Sequence, residues 1–211
     1  MNLLSQITKS SLSIVRLIEH GFDQQGKVLL RSLMELINLT ILITAKKDSM
    51  INYCKGIDDE KANNVWKNNF KTWQVNNQLS EIEKNLSIKE NTEIIRKVKE
   101  IRKKTYRYFS NAVHSSYHST ILSNYAILPS SVGNIDDIMH FSLFGKYTHA
   151  SLYSLQDLNW LIFYLIVLLQ TILKKVHNFE MPIKDDVMWN IHQVLAQAYL
   201  ASLVYGKFIE E

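Results

Sequence analysis

Apolar residues return every three to four positions from about Asn2 to His20, the period of a helix with one buried face, and Gly21 then supplies a break. From about Phe22 to Lys47 the chain reads VLLRSLMELINLTILITA at its centre, apolar on nearly every side except at Arg31 and Glu35. That pattern predicts a helix sheathed by other helices. Asp48 to Asn77 is more polar: Gly56 marks a break, Asp58, Asp59 and Glu60 suit a helix N-terminus, and Trp66, Phe70 and Trp73 recur at i, i+4, i+7, expected as a packing face, with stacking on RNA bases as the alternative. Ser87 and Glu90 have the spacing of a capping box, opening a helix with a seam at Ile94, Val98, Ile101, Thr105, Tyr108 and Ala112. From Ser115 to Tyr147 the chain turns to Ser and Asn with Pro129 and Gly133, which predicts a long loop with room for a small β-hairpin. A strongly apolar helix follows from about Tyr147 to Val176, and Pro182 with Asp185 and Asp186 opens a last one ending near Gly206.

Composition narrows the fold class. Six Gly and two Pro in 211 residues are too few turn-formers for a β-sandwich or a dinucleotide-binding fold, so the expectation is all-α: a bundle of about five to seven helices, one domain over 1–211. The uncharged run from Leu158 to Leu173, between Asp157 and Lys174, falls short of the roughly 20 residues of a membrane span and reads as a buried bundle helix, with no membrane partner. Cys54 is the lone cysteine and excludes an internal disulfide, which points to a reducing compartment and the cytoplasm.

The charge is modest overall, at +4, but unevenly spread. Arg96, Lys97, Lys99, Arg102, Lys103, Lys104 and Arg107 with the single acid Glu100 give +6 within twelve residues, whereas the remaining 17 basic and 19 acidic residues give −2. An anionic partner such as RNA is expected to meet Arg96, Lys97, Lys99, Arg102, Lys103 and Lys104. A solvated helix face is the plainer meaning of the same run.

The candidate chemistry lies at the end of this segment, in Tyr106 to His118 (YRYFSNAVHSSYH). At about 100° per residue, Arg107 and His114 fall on one helix face, with Asn111 between them, Ser110 beside it and His118 a turn further on. A guanidinium offers a planar fork of donors to phosphate oxygens, and an imidazole exchanges protons near neutral pH; together they suit phosphodiester transfer. His114 and His118 form an H-x3-H pair, but no third ligand is placed by spacing, so neither a metal nor a cofactor is expected. The sequence has no Gly-rich phosphate loop and no nucleophile elbow, which disfavours P-loop NTPases and α/β-hydrolases.

Arg107-x6-His114 on a late helix of an all-α chain resembles the R-x(4–6)-H signature of the HEPN superfamily (higher eukaryotes and prokaryotes nucleotide-binding). The position after the arginine, often Asn, Asp or His in that superfamily, is Tyr108 here. The resemblance implies a metal-independent endoribonuclease of a toxin or antiphage defence system, active as a homodimer and restrained by an antitoxin or other defence-system partner protein. Arg31-Ser-Leu-Met-Glu35 together with Ser110-x3-His114 is also similar to a bacterial all-helical family of unassigned function. Arg31 and Glu35 stand i, i+4 and are expected to pair, either fixing helix register or supporting His114 in a shared cleft. The rival functional reading, a non-catalytic helical module that binds RNA, a nucleotide or a partner protein, stays open on the sequence.

Overall fold

The structure, a computed structural model, describes residues 2–56, 59–86, 102–110, 113 and 149–179. The described residues are helical with short connections, and no strand occurs among them: α1 (Asn2–Glu19), α2 (Asp23–Ala45), α3 (Lys47–Lys55), α4 (Asp59–Asn69), α5 (Thr72–Leu86), α6 (102–110) and α7 (His149–His177). The all-α expectation therefore holds. The capping box at Ser87, the long loop and its hairpin, and the helix after Pro182 lie outside the described residues.

The chain divides into two compact units, one of Met1–Met34 with Lys103–Leu158 and one of Glu35–Arg102 with Asn159–Glu211; the domain expected over 1–211 spans both. In the first unit, α1 buries Ile7, Ile14 and Ile18, spaced by whole turns. The helix stops where Gly21 takes a left-handed φ of 73°. There the Gly21 amide donates to Ile18 O and the Phe22 amide to Leu17 O, closing the last carbonyls in a Schellman turn. A Cβ on Gly26 would come within 3.2 Å of Ile18 Cγ1, so this glycine permits the close approach of α2 to α1. Leu30, Leu33 and Met34 then complete the α2 contribution to this core.

In the second unit, Ile37, Ile41 and Leu42 of α2 are fully buried. α5 contributes Val75, Leu79, Ile82 and Glu83, and α7 contributes Trp160, Leu161, Tyr164, Leu165 and Ile172. The acidic member of the α5 stripe is matched by a cation. Arg102 is 3% exposed and pairs through Nη1 with Glu83 Oε1. Its Nη1 also donates to the Tyr164 hydroxyl at 2.9 Å and its Nη2 to Ser80 Oγ at 3.0 Å, while Tyr164 donates to Glu83 Oε1 at 2.6 Å. Burial, opposed in part by Arg102 and reinforced by Glu83, holds the Tyr164 phenol protonated well above its ordinary range.

Two sequence expectations need correction here. Trp66, Phe70 and Trp73 do not share one packed face, because the helix ends at Asn69: Phe70 in the connection is 3% exposed, whereas Trp66 and Trp73 are 46% and 61% exposed. The seam of the basic helix also lies one residue away from the expected positions, with Arg102 and Phe109 buried and Thr105 and Tyr108 half-buried. Phe109 is the largest apolar side chain on that stretch and sets the buried face.

By length and composition α2 and the Ser151–His177 part of α7 are each apolar enough to cross a membrane. Both also bury polar groups against other helices: Ser151 Oγ of α7 donates to Asp23 Oδ2 of α2 at 3.0 Å.

Arg102→Met leaves Glu83 charged in the core and should cost about 3–5 kcal/mol of unfolding free energy in urea. Glu83→Met/Arg102→Met strands no charge and should recover a large part of that loss. A single variant as stable as the parent chain would show that the pair is hydrated.

Candidate functional site

Of the site expected from the sequence, Arg107 and Ser110 lie on α6, and the side chains behind them decide how α6 is held. At about 100° per residue, Arg107 lies about 200° from Phe109. Phe109 is fully buried, so Arg107 is exposed, as are Lys103 and Lys104. Among the described residues no carboxylate pairs with Arg107. Its guanidinium is a cation held toward solvent on a helix anchored from the other side.

That anchoring comes from two tyrosines flanking Arg107. The Arg31 guanidinium of α2 lies 5.1 Å from the centre of the Tyr106 ring and donates through Nη2 to the Tyr106 hydroxyl at 3.0 Å. One turn earlier on α2, Lys27 Nζ sits 5.4 Å from the centre of the Tyr108 ring. Such cation–π contacts contribute about 0.5–2 kcal/mol each, more when water is excluded. Lys27 and Arg31 are i, i+4 on one face of α2, so the Tyr-Arg-Tyr triplet is gripped at both ends by successive cations. Ser110 Oγ is engaged within α6, donating to Tyr106 O at 2.8 Å.

Lys27 is 1% exposed. Burial lowers its pKa from the ordinary 10.5, and the Asp23 and Asp157 carboxylates act against that shift by favouring the ammonium. Burial also pushes the Tyr108 phenol up to about 12, reinforced by Asp157, Asp23 and Tyr153. Asp23 is itself buried and accepts the hydrogen bond from Ser151 described above. Buried Lys27, Asp23 and Ser151 thus form one polar cluster with half-buried Asp157 and Tyr108.

Arg102 is a correction to the expected RNA-binding set, since its guanidinium is consumed by Glu83, Tyr164 and Ser80 and does not face solvent. Lys103, Lys104 and Arg107 stay available to an anion. Arg31 is brought against Tyr106, the neighbour of Arg107, while Glu35 is half-buried one turn further along α2. Asn111, His114, His118, Arg96, Lys97 and Lys99 lie outside the described residues. The sequence reading missed Lys27, Tyr106 and Asp23 altogether. The available signal was the spacing of four that links Asp23, Lys27, Arg31 and Glu35 along one helix. No group of three or more His, Cys, Asp or Glu able to hold a metal occurs among the described residues. No known family model, curated protein or solved structure matches the chain.

The two perturbed groups give alkaline stability a two-sided profile. Lys27 has a lowered pKa when folded, so the unfolded chain binds more protons below 10.5 and stability rises with pH toward that value. Tyr108 keeps its proton to about 12 when folded but to 10.0 when unfolded, so stability falls as pH climbs through that window. Tyr164, also held protonated when folded, adds to the same fall, so Tyr108→Phe should lessen the fall between those limits in urea titrations run across pH without abolishing it, and an unaltered slope would show that the Tyr108 ring is hydrated in the folded chain.

Proposed function

We propose that this chain is a metal-independent endoribonuclease of a toxin or antiphage defence system, with Arg107 and His114 as its reacting pair. The observation that carries the reading is the placement of Arg107: solvent-facing, without a carboxylate among the described residues, on a helix clamped from behind through Tyr106, Tyr108 and Phe109. A group that neutralises charge developing on phosphorus works best from a fixed position, and anchoring of the helix fixes the backbone from which Arg107 projects. The likeness of Arg107-x6-His114 to the HEPN signature supports the same assignment.

In this scheme a base removes the proton of the ribose 2′-OH, the oxygen attacks the adjacent phosphorus, and an acid protonates the departing 5′-oxygen. His114 serves as one of these groups and Arg107 stabilises the pentacoordinate phosphorus, with Asn111, Ser110 and His118 alongside on the same stretch of chain. In-line transfer needs a second proton-transfer group. A homodimer in which a second copy supplies its own His114 meets that need. Lys103 and Lys104 contribute long-range attraction for the substrate backbone, and a partner protein of the defence system covers the site until it is needed. The exposed thiol of Cys54 fits a reducing, cytoplasmic setting.

Arg107→Ala and His114→Ala should each lower the rate of RNA cleavage by about a hundredfold or more, the scale for losing one transition-state donor or proton-transfer group. The thermal unfolding of the Arg107 variant should match the parent chain, because the side chain is exposed. Cleavage should persist in EDTA, fail when the scissile nucleotide carries a 2′-O-methyl, and leave a 2′,3′-cyclic phosphate. Activity that disappears in EDTA and returns with Mg²⁺ would overturn the mechanism. RNA binding without cleavage by the parent chain would favour a non-catalytic module.

A further inference from the structure

The connection between α4 and α5 carries a second feature that the Arg107 site does not use. From Lys61 to Ser80 the chain has three lysines, two tryptophans, six asparagines and no acid. Its centre, Trp66 to Trp73, reads WKNNFKTW. Phe70 is buried and meets Tyr53 edge-on at 6.2 Å and the Trp66 ring in a tilted arrangement at 5.7 Å. Gln74 closes the turn by accepting from the Lys71 amide at 3.1 Å and donating to Asn68 O at 3.0 Å. Around this fixed centre the largest apolar side chains stay in water: Trp66 and Trp73 are exposed, as are Lys67 and Lys71. Neither lysine has a carboxylate partner among the described residues.

Two exposed indoles interleaved with these lysines match what a single strand presents: flat bases with π-faces, unstacked from a partner strand, on a negatively charged backbone. A flat base and the phosphate beside it account together for both features, the exposed indoles and the lysines between them. We propose that the Trp66–Trp73 turn is a stacking platform for single-stranded RNA, with bases on Trp66 and Trp73 and backbone phosphates on Lys67 and Lys71. The platform deepens the ribonuclease reading and rests on RNA being the substrate class, since it supplies affinity for unpaired segments and no cutting group.

The test measures binding of the full chain to a fluorescently labelled, fully 2′-O-methylated single strand of about twelve nucleotides, a length within the range such platforms cover and resistant to 2′-OH cleavage. Trp73→Ala should weaken binding about tenfold and Trp73→Phe should restore most of it, with thermal unfolding unchanged because the ring is exposed. Lys67→Glu/Lys71→Glu should reduce the slope of log affinity against log salt by roughly 0.7 for each phosphate that is no longer neutralised. Affinity unchanged in Trp73→Ala, or weakened equally for a fully paired duplex, would overturn the platform. The two assignments fail separately. Arg107-dependent cleavage with Trp73-independent binding would leave the ribonuclease and remove the platform, and Trp73-dependent binding without any cleavage would do the reverse.

Discussion

A cation withdrawn from water must find counter-charge and hydrogen-bond acceptors inside the fold, because the protein interior does not compensate the missing hydration by itself. Two such cations shape this chain, one in each compact unit. Lys27 lies among Asp23, Asp157 and the face of Tyr108, and Arg102 lies on Glu83, Tyr164 and Ser80. In each case some of the partners come from helices distant in sequence, Asp157 and Tyr108 for Lys27 and Glu83 and Tyr164 for Arg102. Apolar stripes tolerate a helix sliding or rotating by a fraction of a turn, whereas a buried ammonium or guanidinium does not, so these clusters select one register for helices that are otherwise long and greasy.

The consequence for function is geometric. Arg107 faces outward because the groups on either side of it are committed inward: Tyr106 to Arg31, Tyr108 to Lys27, and Phe109 to the core. The basic segment thereby divides its labour. Arg102 builds structure, and Lys103, Lys104 and Arg107 present charge. A count of positive residues treats all of them alike and overstates the electrostatic surface, since a buried cation neutralised by Glu83 adds little to the field outside.

Exposed aromatic residues follow the same logic in the second unit. Phe70 takes the buried position of the α4–α5 connection, while Trp66 and Trp73 stay exposed. A tryptophan kept in solvent gives up roughly the largest hydrophobic gain of any side chain, so its exposure on a turn braced by Gln74 is a cost that binding can recover.

The helical class and the limits of α1 and α2 are legible in the chain alone, because a 3.6-residue apolar period, scarce Gly and Pro, and a break at Gly21 are local properties. The chain also marks Arg31 and the Arg107 segment as unusual, since charge in an apolar helix and a dense basic run are visible without coordinates. Which cations are buried follows from the packing of the helices and is not written in any one of them. Burial of Arg102 depends on Glu83 and Tyr164, 19 and 62 residues away, and burial of Lys27 on Tyr108 and Asp157, all partners that spacing along one helix does not reveal. Likewise, the i, i+4, i+7 pattern of Trp66, Phe70 and Trp73 promised one face, but that spacing has meaning only while the helix continues. The chain leaves the helix at Phe70, where burying the ring and satisfying the turn through Gln74 outweigh one more turn of regular backbone.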